Sequence, residues 1–239
     1  MKFCDPLLAP AYVPASSMFM EHALVIGASG GIGSALSDAF EARGATVTRL
    51  SRRQDGLDIT DEVSIASCLE ALDGPYDRIV IASGILAPKN EGPEKTLNAL
   101  DPLAMSTVFA ANAIGPALVL KHVQHLIPRD RRCVIGVLTA RVGSIGDNHL
   151  GGWYSYRAAK AAANQIVRTA AIEIRRKRKH AVVLALHPGT VATQFTSNYP
   201  GHKKVSPQEA AQNLLSVMDQ ITPDETGKFF DWAGKPVPW

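Results

Sequence analysis

The chain has little cysteine: three in 239 residues, Cys4, Cys68 and Cys133, odd in number and without metal-ligand spacing. That excludes a disulfide framework and favours free thiols in a reducing compartment, so the expected localisation is cytoplasmic. The seven histidines are equally unhelpful to a metal: His122 and His125 lie three apart on a helical stretch, but no third ligand accompanies them, and no metal site is predicted. A net charge of +3 is too small to imply a polyanionic partner. The basic run "RRKRKH" (175–180) has no interleaved aromatics and falls where a helix ends, so it is read as offsetting the helix dipole rather than as a nucleic-acid or membrane contact. No apolar run approaches the length of a membrane span. Internal repeats and low-complexity linkers are also missing. The opening "MKFCDPLLAPAYVPASSMFM" lacks a basic leader and is broken by prolines; residues 1–20 are expected to form an appended arm, flexible or draped on the surface, and 21–239 a single domain.

What the chain does have is alternation. Short β-rich runs at 22–29, 45–51, 78–84, 133–140 and 181–187 are separated by helical stretches at 31–43, 61–72, 103–126 and 153–179. Several of the runs are apolar almost throughout, as strands covered on both faces must be. "SPQE" at 206–209 opens a last helix, with Pro207 at its first position, and "GKFFDW" supplies a final strand. The pattern predicts one doubly wound α/β domain with a parallel sheet of about seven strands and crossover helices.

The first strand runs into "GASGGIG" (27–33), which opens a helix. Glycines belong there if the backbone turns tightly and a pyrophosphate approaches the helix N-terminus. Gly27, Gly31 and Gly33 follow a G-x-x-x-G-x-G spacing, with Ser29 and Ile32 between them as further candidate contacts. At the end of the second strand, an NAD-binding chain would place a carboxylate against the ribose 2′-hydroxyl. This sequence has Ser51, Arg52 and Arg53 there, with Asp55 already in the loop. Guanidinium groups beside a hydroxyl suit a 2′-phosphate, so the predicted cofactor is NADP(H). Asp58 is placed for the adenine amino group, and Ser83 and Gly84 in "IASG" for the adenosine.

In "WYSYRAAK" (153–160), Tyr156 and Lys160 are four apart and share a helix face, whereas Tyr154 and Lys160 diverge. Tyr156 is therefore the candidate acid–base residue and Tyr154 a packing residue. A neighbouring ammonium would lower the phenol's pKa from its ordinary value of about 10.

Together with the glycine spacing, Y-x-x-x-K makes residues 22–239 resemble the short-chain dehydrogenase/reductases, with Rossmann-type topology. "ARVGSI", "GGWYSYRAAKAA" and "GKFFDWAGKPVPW" are most similar to the C-factor-like carbonyl reductases. The resemblance implies that Tyr156 protonates a carbonyl oxygen and that Lys160 holds the nicotinamide ribose, while Asn112 supports a proton relay to the lysine. It implies that Pro188, Gly189, Val191 and Thr193 in "HPGTVAT" serve the carboxamide end of the cofactor, and that "QFTSNYPGHKK" after them is a substrate lid. It also implies a homodimer or homotetramer packed through the 103–126 and 153–179 helices. The chain departs from the family where a catalytic serine is expected three positions before Gly143, because that position holds Ala140. Ser144 is the expected replacement. Thr139 is the remaining alternative, although strand alternation should turn it away. The activity expected is hydride transfer between NADP(H) and a small-molecule carbonyl or secondary alcohol. The alternative left open by Ala140 is a dinucleotide-binding sensor or signalling protein with weak turnover.

Overall fold

The computed structural model describes residues 20–89, 91–197 and 203–239. The predicted arm, apart from Met20, lies outside the described residues, as does part of the predicted lid. Six parallel strands form one sheet in the order β2-β1-β3-β4-β5-β6. They are β1 (His22–Ile26), β2 (Thr46–Leu50), β3 (Arg78–Ile81), β4 (Cys133–Leu138), β5 (Ala181–His187) and β6 (Phe229–Asp231). The chain order reverses between β1 and β3, and a doubly wound sheet opens its ligand crevice at such a point, beyond the strand C-termini.

The described strands number six rather than seven. All six segments read as strands from the sequence do form, but the stretch 56–60 beyond β2 adds no further edge. Its backbone groups are taken by nearby side chains: Asp58 N–H donates to Ser64 Oγ at 2.8 Å, and Asp58 Oδ1 accepts Thr60 N–H at 2.9 Å. Local bonds of this kind compete with a ladder.

Helices cover both faces: α1 (Gly31–Ala42), the short α2 (Arg52–Asp55), α3 (Glu62–Glu70), α4 (Pro102–Phe109), α5 (Gly115–His122), α6 (Tyr154–Lys177) and α7 (Pro207–Gln220). Alternation divides the strands between two cores. Leu24 and Ile26 of β1 join Val119 and Val167 on one face, and Ala23 and Val25 join Leu36 and Leu214 on the other. Every residue of β3 and β4 is buried, which explains the apolar runs Ile79–Ile81 and Cys133–Leu138, while Arg78 at the start of β3 is paired with Glu21 and Asp219. The predicted start of α7 is present, with Ser206 Oγ accepting Glu209 N–H at 3.0 Å ahead of Pro207.

Two expectations for 102–126 change. The predicted single helix is interrupted by a π-helical turn over Ala110–Ile114. Pro102–Leu126 also has, with 25 residues and a mean hydropathy of 1.7, the length and apolarity to cross a membrane. In this fold it packs against α3 and α6 instead. Its apolar residues are divided between the core, with Val108, Val119 and Leu120 buried, and the surface, with Leu103 and Ile114 exposed.

Candidate active site

The cleft at the strand C-termini is bounded by the glycine turn, the ends of β3, β4 and β5, the start of α6, and the 188–196 segment. The glycine turn packs backbone on backbone. A Cβ at Gly33 would stand 2.2 Å from Gly27 O, and Gly27 itself has φ +89°. A Cβ at Gly31 would meet Thr193 Cγ2 at 2.6 Å, so the glycine turn and the 188–193 segment close on each other. No side chain caps the N-terminus of α1, where Gly30, Gly31 and Ile32 line the cleft. Uncapped first-turn N–H groups at a helix start are suited to a phosphate. These features fit a dinucleotide.

At the end of β2, Ser51 is buried and Arg52 extends into solvent, with 80% of its side chain exposed and Nη1 3.8 Å from Asp58 Oδ2. Asp58 is held ionised below the usual carboxylate range, first by hydrogen bonds from Thr60 and then by the Arg52 charge. Asp55, which the sequence left in the loop, turns back so that its Oδ2 accepts Ser51 N–H at 2.8 Å and Ser51 Oγ–H at 3.1 Å. That carboxylate is thus occupied by the chain itself.

Tyr156 and Lys160 are both buried on one face of α6, with Lys160 Nζ 5.7 Å from the centre of the Tyr156 ring. Lys160 Nζ donates to Leu138 O at 2.9 Å. Desolvation pushes the phenol's pKa upward, well beyond its ordinary 10, and pushes the ammonium down to about 8. The protein alone therefore keeps Tyr156 protonated, and no lowering by Lys160 offsets burial. Trp153 meets the Tyr156 ring edge-on at 6.2 Å and Phe195 lies over it at 5.8 Å. Tyr154 lies elsewhere, in a surface hollow beside Arg157.

Asn112 sits in the π-helical turn, fully buried. Its Nδ2 donates to Val108 O at 2.9 Å and Ile85 O at 2.8 Å, and its Oδ1 accepts Ile85 N–H at 3.3 Å. A Cβ at Gly84 would fall 2.6 Å from Asn112 Oδ1 and 3.5 Å from Lys160 Nζ, so a glycine there lets both groups converge behind the cleft.

The serine question comes out differently from the expectation. Ala140 packs in the apolar cluster around Tyr156 and offers no hydroxyl. Ser144 is turned away from the cleft by the 3₁₀ turn Arg141–Gly143: its Oγ accepts Asp147 N–H at 3.1 Å and contacts Trp239 O at 3.4 Å. Thr139, expected to face away, lines the cleft with Tyr156, and its buried Oγ1 has no protein partner. Leu138, Thr139 and Ala140 all border the cleft, because it opens beyond the C-terminal edge of the sheet rather than over one face of it.

Of the other predicted residues, Ser29, Ile32, Ser83, Gly84, Pro188, Gly189, Val191 and Thr193 all border the cleft. Phe195, in the expected lid, borders it too, as does His187, which was not singled out from the sequence. The signal for His187 was its place in the quoted "HPG", at the end of the same strand. Burial, followed by the Arg141 charge, pushes its imidazole down to about 4, so it is neutral, with Nδ1 unpartnered.

A family model described as enoyl-(acyl carrier protein) reductase matches residues 27–231. A dehydrogenase of 1-hydroxy-2-glutathionyl-2-methyl-3-butene from Rhodococcus sp. (strain AD45) is 30% identical over 236 residues, 92% of this chain and 100% of the relative. The chain is a short-chain dehydrogenase/reductase. The enzyme is also 31% identical over 166 residues to the C-signal protein of Myxococcus xanthus, covering 70% of this chain and 94% of that one. Among solved structures, a Pseudomonas aeruginosa PAO1 carbonyl reductase in complex with NADP superposes with a TM-score of 0.77 at 26% identity, covering 92% of this chain and 100% of that one. The NADPH-bound carbonyl reductase from chicken fatty liver shares the fold, with a TM-score of 0.78 at 24% identity, over 92% and 94% of the two chains.

Proposed function

We propose that the enzyme is an NADP(H)-dependent carbonyl reductase in which Tyr156 is the general acid. The observation that carries this reading is the buried Tyr156–Lys160 pair, whose phenol is held in its protonated, donating form beside the cleft. Bound NADPH supplies a hydride. Gly27, Gly31 and Gly33 would hold its pyrophosphate against α1, and Arg52 its 2′-phosphate. Tyr156 gives its proton to the carbonyl oxygen, and the Lys160 cation stabilises the phenolate that remains. Asn112, fixed behind Gly84, supports proton return to Lys160. Phe195 gives the substrate end an apolar wall, and Trp153 and Val108 pack against Tyr156. The substrate class is a small carbonyl compound or the corresponding secondary alcohol.

A homodimer or homotetramer through 103–126 and α6 is supported by the exposure of Leu103, Ile114 and Ile172 on those elements. The decisive experiment follows NADPH absorbance over a panel of aldehydes and ketones, with NADH in parallel.

The second reading, a dinucleotide sensor with weak turnover, is favoured by Ala140 and by the orientation of Ser144. It predicts tight NADPH binding without appreciable turnover across the same panel.

A further inference from the structure

The helix that carries Tyr156 begins in an unusual way. Gly151 and Gly152 both have φ +65°, and Trp153 follows at φ 54°, the described chain's one non-glycine residue in the left-handed region. Such a conformation is disfavoured for a bulky side chain and persists where surrounding structure fixes it. Trp153 stands at the N-cap position of α6 and provides no side-chain cap. Tyr156 is only the third residue of that helix. Its position therefore depends on a first turn whose own sequence leaves donors unmatched.

The missing cap comes from another part of the chain. Glu94, in the segment between β3 and α4, accepts Ser155 N–H on Oε2 at 3.2 Å and the Ser155 hydroxyl on Oε1. Its backbone oxygen accepts Trp153 N–H at 2.5 Å. A carboxylate at a helix N-terminus satisfies unmatched N–H groups and meets the positive end of the helix dipole. We propose that Glu94 is a positioning residue for Tyr156: it latches the 85–101 segment to the first turn of α6 and fixes the phenol in the cleft. Glu94 itself touches no reacting atom, and the inference rests on the carbonyl-reductase reading of the site. The same latch joins the apolar wall formed by Leu86 and Val108 to the catalytic helix, so wall and acid are held as one unit.

The test compares Glu94→Ala and Glu94→Gln with Glu91→Ala, an exposed residue of the same segment. Two readouts are needed: steady-state kinetics with NADPH and a carbonyl substrate found in the panel, and hydrogen exchange at the Ser155, Tyr156 and Arg157 amides. Glu94→Ala should lower kcat by ~10- to 100-fold, as a displacement of about 1 Å does to an acid that must meet its acceptor. NADPH affinity should stay within about twofold, and the three amides should exchange faster. Glu94→Gln, whose amide oxygen still accepts Ser155 N–H, should recover part of kcat, and Glu91→Ala should match wild type. Wild-type kcat in Glu94→Ala, or a loss explained wholly by a smaller folded fraction, overturns the proposal. Unchanged amide exchange overturns it as well. Should the wild-type protein reduce no carbonyl at all, the carbonyl-reductase reading fails, and exchange alone then decides whether the latch holds the helix.

Discussion

Lys160 holds its ammonium 5.7 Å from the centre of the Tyr156 ring and anchors it on the Leu138 carbonyl at 2.9 Å. The cation is thereby tied to the strand end rather than to the phenol. On the proposed mechanism it would meet charge that develops on the phenol only as the proton leaves, an arrangement that would favour the transition state over the ground state.

Removing the phenolic hydroxyl tests this directly. Tyr156→Phe should bind NADPH as the wild type does and lose ~10²–10⁴-fold in kcat. Tyr154→Phe, altered in a separate hollow, should be mild. Near-normal turnover in Tyr156→Phe would remove that residue from the mechanism.

The depressed pKa of Lys160 sets a pH limit. Its cation is fully present below about 8 and lost as pH rises through that value, whereas an ordinary lysine would keep it to about 10.5. Tyr156 stays protonated across this range because its pKa is raised. The kcat for carbonyl reduction should therefore fall above about pH 8. A profile flat to pH 10 would show that Lys160 retains its proton in the reacting complex.

On the proposed reading cofactor choice rests on Arg52, which is exposed beside Asp58 and would meet a 2′-phosphate. A charge-assisted hydrogen bond is worth about 1.5–3 kcal/mol, so Arg52→Ala should weaken NADPH roughly 10- to 150-fold while changing NADH little. Equal loss of both cofactors, or a wild-type preference for NADH, would refute the assignment. The latter result would point to Asp55, whose carboxylate sits against Ser51.

Thr139 and Ser144 separate on stability as well as rate. The Thr139 hydroxyl is buried without a protein partner, so Thr139→Val should leave Tm unchanged or raised. If that hydroxyl serves the substrate oxygen, the same variant should lose up to ~10²-fold in kcat. Ser144→Ala, which breaks a loop hydrogen bond, should instead cost stability and spare kcat. The reverse pattern would restore Ser144 as the donor.

His187 ties stability to acidity. Its pKa is about 4 in the folded chain against an ordinary 6.5, so between these values the unfolded chain binds a proton that the folded chain refuses. Stability should fall as pH drops from about 6.5 to 4. Urea denaturation at pH 7 and pH 4.5 should show a smaller difference for His187→Gln than for wild type.

The placements legible in the sequence are those that depend on local spacing. Tyr156 and Lys160 share a helix face because they are four apart, and the glycine turn is recognisable because it follows one strand and opens one helix. Contacts made across long separations were not legible. Ser144 Oγ reaches the Trp239 carbonyl, remote in sequence, and α6 is capped by Glu94, 61 residues before Ser155. Thr139 borders the cleft because the cleft lies beyond the strand ends, which the alternation of faces does not specify. The π-helical turn that presents Asn112 left no mark in a stretch whose apolar pattern reads as plain helix.

The contact between Gly31 and Thr193 bears on how the enzyme is made. The glycine turn is synthesised before its opposing jaw, which follows β5, and the two meet only after that strand has been laid beside β4. A nascent chain stalled before Thr193 thus has half a nucleotide groove. NADPH can stabilise only a state that binds it, so the cofactor cannot assist the first half of the fold. Its contribution to yield in the cell should come after translation, as protection of the finished domain against reopening.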